Sequence, residues 1–548
     1  MTSSFSRRQC LLGGLKTALL TGSVFGSPST SSEERPHPKD ETGASRGQTV
    51  GGLSLNEDNS HYFYTRAGQN LDARKVDYWL DQYADSQVRE IMLCPNAMRT
   101  SYASRVWDPI WRGYDPKGDD DQPLLASTAP QSRKDARKWI HTAWELHQKG
   151  IDVYARWIKR CRDVGISPWI SVRMNDIHNV DDESSFIHGE FWRQNPQLRR
   201  VPYRFSEWID RAFDYGHPEV RDYHFKLIEE LTERYDFDGL ELDWMRFGFH
   251  FRPGAEQQGV QILTDFTARV RKLLTNWQRK RGHSISLGAR VPSRPQTALG
   301  LGYDPITWAR RQLIDRLVIT PFFQTIETDM PVELWRSLLH GTRVTLAAGL
   351  ELLVRPYPDF RPLQTNSLET VHGAAASLLD RGVDRIYLFN YMDSQTAIDD
   401  LENYPRLLRE VGSLSTLAGK VRRHIVTYAD TWAPGEPRAY ALPATCHAGK
   451  WHAVRLATGP KPESEPVRLR LGIRREAGET LRDGQVRVNG QPCSFQGEVS
   501  PPNPKPAQAL SEFSVPGTAM NRGYNLVELR PDRDARLDWV EIVVGPKA

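Results

Sequence analysis

Eight apolar, strand-like runs recur at intervals through residues 61–393. They are HYFYTRAG (61–68), REIMLCPN (89–96), ISPWISVRMND (166–176), FDGLELDWMRF (237–247), HSISLGARVP (283–292), DRLVITPFF (315–323), RVTLAAGLEL (343–352) and DRIYLFNYMD (384–393). Amphipathic stretches such as VRDYHFKLIEELTERY (220–235) and TDFTARVRKLLTNWQRK (264–280) separate them. Strands alternating with helices imply a parallel sheet, because parallel neighbours need a crossover between them. Eight such units predict an α/β fold, a (β/α)8 TIM barrel over 56–415. An open doubly wound sheet is the rival, but no glycine-rich phosphate fingerprint follows the first run. The segments after the second and third runs, 97–150 and 177–218, are long and follow strand C-termini, where barrel enzymes place their sites.

The pattern changes after residue 420. VRLRLGI (467–473), GQVRVNG (484–490), YNLVELRP (524–531) and LDWVEIVV (537–544) are short alternating runs separated by Gly, Pro and Asn. They predict a C-terminal antiparallel β-sandwich over 420–548. Such a module either binds carbohydrate or braces the barrel. With no evident aromatic platform in its sequence, bracing is the expectation.

The N-terminal SRRQCLLGGLKTALLTGSVFGS pairs Arg7 and Arg8 with a short, moderately apolar stretch. It resembles a twin-arginine export signal, expected over 1–28, and the Ser/Pro/Glu/Gly-rich 29–55 reads as a disordered linker. No other segment approaches the ~20 apolar residues of a membrane span. The expected location is therefore periplasmic or secreted. Losing residues 1–28 removes Arg7, Arg8 and Lys16 and no acid, lowering the formal net charge from +4 to +1. A near-neutral protein argues against nucleic acid as partner. Cys446 and Cys493 could pair in an oxidising compartment, and no cysteine spacing suggests zinc. No metal or other cofactor is expected.

FDGLELDWMRF sets four ionisable residues among large apolar ones. Residues two apart in a strand share a face. Gly239, Glu241, Asp243 and Met245 form one set, and Leu240, Leu242 and Trp244 the other. The outer helices need the apolar set, so the two acids point into the barrel. Asp243 comes at the C-terminal end, within a substrate's reach. Glu241 lies a layer deeper, where pairing with an inward arginine such as Arg173 or Arg290 is the plainer expectation. Asp238 is expected to shape the start of the strand with Gly239.

This motif resembles the fourth strand of several barrel glycoside hydrolases. In alpha-amylase-type enzymes that strand ends in an Asp nucleophile shortly after an Asp-Gly, as Asp243 follows Asp238-Gly239. Chitinase-type family 18 enzymes are also similar, but Met245 stands where their acid Glu would be, so that mechanism lacks its proton donor. The fuller likeness is to bacterial hypothetical glycosyl-hydrolase-like proteins. It is carried by AFDYGHPEVRDYHFKLIEELTERYDFDGLELDWMRF (212–247), including Gly216, Pro218, Glu219, Val220 and Arg221. The resemblance implies carbohydrate chemistry on a barrel.

Glycosidases generally use two carboxyls. In RVTLAAGLEL, the alternation Thr345, Ala347, Gly349, Glu351 places Glu351 inward at the strand's end, and it is the expected acid. Glu327, in the loop after the sixth run, is its rival. Polar residues at other strand ends are candidate substrate contacts: Arg66, Asn96, Arg173, Asn175, Asp176, Arg290, Asn390 and Tyr391. Arg246 and His250, just past the fourth run, join them, and Glu241 stays among them. His178 could contact substrate or, with Asp176 and Asp181, hold calcium. Trp107 and Trp111 either stack on sugars or pack their loop onto the barrel. The sequence thus predicts an exported glycoside hydrolase acting on a poly- or oligosaccharide, with strand-end arginines suiting an anionic one. The alternative is a non-catalytic carbohydrate-binding protein on a degenerate barrel.

Overall fold

The computed structural model describes residues 51–393, 398–474, 481 and 484–546. The expected export signal and most of the expected linker lie outside them. Eight parallel strands close a barrel: β1 (Leu53–Glu57), β2 (Val88–Leu93), β3 (Ser167–Arg173), β4 (Gly239–Asp243), β5 (Ser286–Pro292), β6 (Arg316–Thr320), β7 (Thr345–Leu350) and β8 (Arg385–Leu388). Each strand pairs with its sequence neighbours, and β1 pairs with β8.

Six strands fall within the runs read from the sequence and β2 starts one residue before its run; the first run does not form a barrel strand. Residues 61–65 form a short helix, and β1 lies upstream in GGLSLNE, partly inside the expected linker. HYFYT has strand-like composition, but its Tyr62 packs on Trp157 at 4.9 Å and on Trp79 at 5.4 Å. That packing overrides a weak local preference. β1 escaped notice because its inward residues are polar: Ser54 donates to Glu90 (2.7 Å) and Asn56 to Tyr387 (3.3 Å).

Outward-facing residues such as Leu240, Leu242 and Leu287 meet the helices and are fully buried. Helix Pro218–Arg234 starts on a proline at its first position and buries Val220, His224, Leu227, Ile228 and Leu231 at helical spacing. Helix Glu256–Arg281 stops at Gly282, whose φ of 76° suits a residue without a Cβ.

The interior departs from the usual apolar filling of a barrel. At the N-terminal floor Glu90 binds both Arg316 and Arg385 (2.5 Å to the latter), all three nearly fully buried. Above it Trp169 lies under Arg316, 4.7 Å from ring centroid to guanidinium. A Cβ on Gly239 would fall 2.3 Å from the Trp169 ring, so β4 must begin with glycine. Asp238, just before it, accepts from Arg162 (2.7 Å) and Ser167 (3.1 Å), fixing the start of the strand.

The C-terminal region is an antiparallel sandwich. One sheet runs Arg422–Ile425, Ala535–Val544, Val467–Arg474, Leu510–Val515, Ser494–Val499, with Ala444–Cys446 added on Ala535–Val544. The other runs His452–Gly459, Gly523–Leu529, Val486–Val488, Gln491–Pro492. Cys446 and Cys493 are buried free thiols, so the expected pairing does not form. The sandwich covers helix Leu368–Asp380, whose HGAAAS segment is buried all round. A Cβ on Gly373 would lie 2.2 Å from the Arg423 carbonyl oxygen, so this glycine permits the contact.

Candidate active site

Asp243 ends β4 between two arginines in register: Arg173 on β3 and Arg290 on β5. Its carboxylate takes Arg290, with Nη1 3.0 Å from Oδ1 and 3.2 Å from Oδ2, and Oδ1 also accepts the Met245 N–H at 3.0 Å. The Arg290 contact is a salt bridge made of charge-assisted bonds. The other end of the guanidinium, Nη2, is 3.7 Å from Glu351 Oε1. Asp243 and Glu351 thus flank one guanidinium.

The two acids differ in surroundings. Burial pushes the Glu351 carboxyl well above the usual range, and Arg290 only partly opposes it. Its side chain is 1% exposed. The backbone carbonyl of Glu351 accepts from Asn366 (2.7 Å) and Tyr391 (2.8 Å), which fix the end of β7. Tyr391 is therefore a buried brace. Phe389 lies flat over Arg290, its centroid 3.7 Å from the guanidinium carbon. Asn390, at φ 63°, turns the chain immediately after it, a conformation that short polar side chains tolerate.

Glu241 lies below, as its parity requires, but pairs with hydroxyls rather than an arginine. Its Oε1 accepts from Ser171 (2.7 Å) and Tyr387 (2.8 Å). Burial, together with the charge of Asp243, raises its pKa to about 7. Glu327 sits across the β5 and β6 loops, where Oε2 accepts from Ser293 (2.5 Å) and Oε1 from Arg294 (3.4 Å). Burial raises its pKa to about 7 as well. Its hydrogen-bond partners are thus Ser293 and Arg294, apart from the Asp243–Arg290 pair.

A second charged group lies at the β1, β3 and β4 ends. Arg173 bonds Asp58 and Asp176 (2.8 Å to the latter). Asp176 also accepts the His178 Nδ1–H (2.7 Å), leaving Nε2 to accept from Arg246 at 3.0 Å. Burial disfavours the Asp58 and Asp176 charges, yet Arg173 and Arg246, with hydrogen bonds from Ser60 to Asp58 and from His178 to Asp176, hold both carboxyls well below the usual range. Asp176 thus spends its oxygens on Arg173 and His178, not on a cation shared with Asp181.

Several expected contacts are structural. Asn96 ties the ends of β2 and β3, bonding the Arg173 backbone from both amide atoms. Asn175 clips Phe213 to Phe249. His250 lies behind β4, bonded to Tyr303 (2.6 Å) and packed on Trp244; it faces the helix layer, not the barrel mouth. Trp107 stacks on Tyr223 (4.3 Å) and Trp111 on His147 (5.1 Å), so both pack their loop. Arg66 holds Asp393, joining the β1 and β8 loops.

Two contributors were not legible in sequence. Phe389 follows β8, and nothing in LFNYMD marks it as the cover of Arg290. Asp430, in the loop between the sandwich strands Arg422–Ile425 and Ala444–Cys446, accepts the N–H groups of Phe322 (2.8 Å), Phe323 (3.0 Å) and Gln324 (2.8 Å). Its charge also raises Glu351 and Glu327, after burial. Nearby Trp432 lies 5.2 Å from the Arg294 guanidinium, so this segment walls the mouth. Among the described residues no cluster of three metal-binding side chains occurs, and no helix is long and apolar enough to cross a membrane.

No family model and no curated protein matches the chain. Solved structures similar to it include the glycoside hydrolase domain of PgaB (BpsB) from Bordetella bronchiseptica, at 14% identity over 67% of this chain and 99% of that one, TM-score 0.38. Alpha-L-fucosidase isoenzyme 1 from Paenibacillus thiaminolyticus is similar at 12% identity over 91% and 96%, TM-score 0.33. A cycloisomaltooligosaccharide glucanotransferase from Paenibacillus sp. is similar at 9% identity over 89% of this chain, TM-score 0.30, and the chain spans 57% of that enzyme.

Proposed function

We propose that this protein is an exported glycoside hydrolase whose carboxyl pair is Asp243 and Glu351. One observation carries the reading: a single buried guanidinium, Arg290, separates a salt-bridged carboxylate from a carboxyl whose pKa burial has raised. Environments that push two carboxyls apart assign acid and base roles. Glu351, protonated, donates to the glycosidic oxygen as the bond to the anomeric carbon breaks. Asp243, salt-bridged to Arg290, either takes the anomeric carbon as a glycosyl ester that water then hydrolyses, or removes a proton from an attacking water. Arg290 holds Asp243 in place and sets its charge against Glu351. Glu327, whose pKa burial also raises, is the rival donor.

The test is release of reducing ends from a panel of polysaccharides by the wild type, Asp243→Asn, Glu351→Gln and Glu327→Gln. Loss of turnover in the first two, with Glu327→Gln active, supports the assignment. Unchanged turnover in Asp243→Asn overturns it.

The alternative, a non-catalytic carbohydrate-binding protein, is favoured by a different observation. Asp243 and Glu351 have side chains 2% and 1% exposed, beneath Phe389 on Arg290. Binding of a glycan without release of reducing ends, in the same panel, selects this reading.

A further inference from the structure

One cavity among the described residues is distinct from the barrel mouth. It measures about 460 Å³ and lies beside the mouth, between the loops after β3 and β4, lined by Arg199, Arg200, Arg204, His217, Arg252 and Tyr203 among others. Of its described lining residues only Asp214 is acidic. Three of the arginines already have carboxylates: Arg199 pairs with Glu183 (2.9 Å), Arg204 with Asp210 (2.7 Å) and Arg252 with Asp214 (3.7 Å).

Arg200 is different. It is 6% exposed, and its bonds go to backbone carbonyls, Nε to Phe251 (2.5 Å) and Nη1 to Ile209 (2.8 Å). Among the described residues it forms no ion pair. A buried guanidinium normally pairs with a carboxylate or phosphate, because an uncompensated buried charge is costly. Glu256, Asp210 and Asp214 act on Arg200 only at a distance, and the cavity it lines carries three further arginines, each paired with one carboxylate. Helix Pro218–Arg234, starting at the lining residue His217, adds the positive end of its dipole. The cavity's size is that of a ligand pocket rather than of a single small ion, and Tyr203, 89% exposed, offers a ring face at its edge.

We propose that this cavity binds the oxyanion of an acidic sugar residue, a uronate carboxylate or a sugar sulfate, with Arg200 as its central counter-charge. The proposal rests on the glycosidase reading for the source of that sugar: the polysaccharide held at the barrel mouth. The same loop connects the two places. Trp208, a few residues from Arg204, stacks on Phe322 at the mouth (6.0 Å), and Asn175 ties Phe213 to Phe249 beneath both. A polymer lying across the mouth can therefore set an acidic unit into the cavity.

The experiment is calorimetric binding to the full chain carrying Asp243→Asn, with an oligogalacturonate, a sulfated oligosaccharide, a neutral cello-oligosaccharide and inorganic sulfate as separate probes. At least one acidic oligosaccharide is expected to bind, more weakly as sodium chloride rises. Arg200→Gln and Arg252→Glu are each expected to weaken it about tenfold or more. Arg252 is mostly exposed (side chain 57%), so its variant reports even where Arg200→Gln fails to fold. Three outcomes overturn the proposal: no acidic oligosaccharide binds, Arg252→Glu binds as tightly as its parent, or inorganic sulfate binds as tightly as the oligosaccharides. Catalysis is scored separately. Reducing-end release by the wild type, lost in Asp243→Asn, keeps the hydrolase reading even where the cavity proposal fails, and retained acidic-sugar binding without release keeps the cavity where hydrolysis fails.

Discussion

Asp243 and Arg290 are cross-strand partners on β4 and β5 and meet in a buried salt bridge 3.0 Å long. Neither side chain has water to fall back on, so each depends on the other for its charge. The same guanidinium reaches Glu351, so the pair also governs the second carboxyl.

Replacing Arg290 separates the two roles. Arg290→Met leaves Asp243 a buried, unpaired charge, and the expected loss of stability is about 3–5 kcal/mol in urea unfolding. Arg290→Lys keeps the charge but not the two-ended fork. It should fold, with kcat/KM lowered roughly 100-fold. A lysine variant of wild-type activity would show that bridging to Glu351 plays no part.

The raised carboxyl pKa values give a contribution to stability that falls as pH rises. Glu241 and Glu327, at about 7 in the folded state against an ordinary 4.5, bind more protons folded than unfolded between those values. Glu351 is raised in the same direction. Their contribution is complete below about 4.5 and is lost as pH climbs through the folded pKa. Asp58 and Asp176 are shifted the other way, so their contribution is already complete above their ordinary 3.8 and leaves this window alone. Buried His188, His224, His250 and His424, pushed by burial below the ordinary imidazole value, act the other way. The carboxyl contribution is therefore read as the difference in urea midpoint between wild type and a carboxyl variant, which should shrink from pH 5 to pH 8. Glu241→Gln, which keeps an acceptor for Ser171 and Tyr387, is such a variant; a difference unchanged between the two pH values would contradict the raised pKa.

The same sign governs activity. Glu351 must carry a proton to act as donor, so kcat/KM should decline on the alkaline side as it ionises. Residual turnover of Glu351→Gln should lose that limb. A limb that persists in Glu351→Gln but vanishes in Glu327→Gln would move the proton donor to the β6 loop.

How much of this was legible depends on which side chains face the barrel interior. β4 and β7 alternate strictly, so period-two reading placed Glu241, Asp243 and Glu351 inward, as found. β1 failed the same reading because Ser54 and Asn56, polar and small, look like linker when their partners Glu90 and Tyr387 are distant in sequence. The site's walls failed for a related reason. Asp430 and Trp432 reach the mouth from beyond the barrel, and no local periodicity links them to residues more than one hundred positions earlier. Asn96, Asn175 and Tyr391 looked like substrate contacts because strand-end polar residues are ambiguous; only their backbone partners identify them as braces.

Asp430 offers a test of that wall. Its carboxylate accepts three consecutive N–H groups, from Phe322, Phe323 and Gln324. Asp430→Ala strands these donors in a partly buried loop, with an expected loss of about 1–3 kcal/mol. Asp430→Asn keeps an acceptor oxygen, so it should recover part of the loss. Because the loop it holds carries Glu327 and the exposed Phe323, glycan binding should weaken in the alanine variant more than folding alone predicts.

The barrel floor gives a prediction independent of function. Glu90 is the shared carboxylate of Arg316 and Arg385, at the end of the barrel away from Asp243. Burial already presses the Arg316 pKa well below its ordinary value, and the charge of Arg385 adds to that pressure. Glu90→Gln removes the carboxylate that two facing guanidinium groups share, so the expected destabilisation is about 3–5 kcal/mol. Arg385→Met in that background removes one of the two like charges and should recover stability, whereas independent sites would simply add their losses. A double-mutant cycle in urea at constant pH reads the coupling, and additive losses would show that the floor is held by packing around Trp169 rather than by charge.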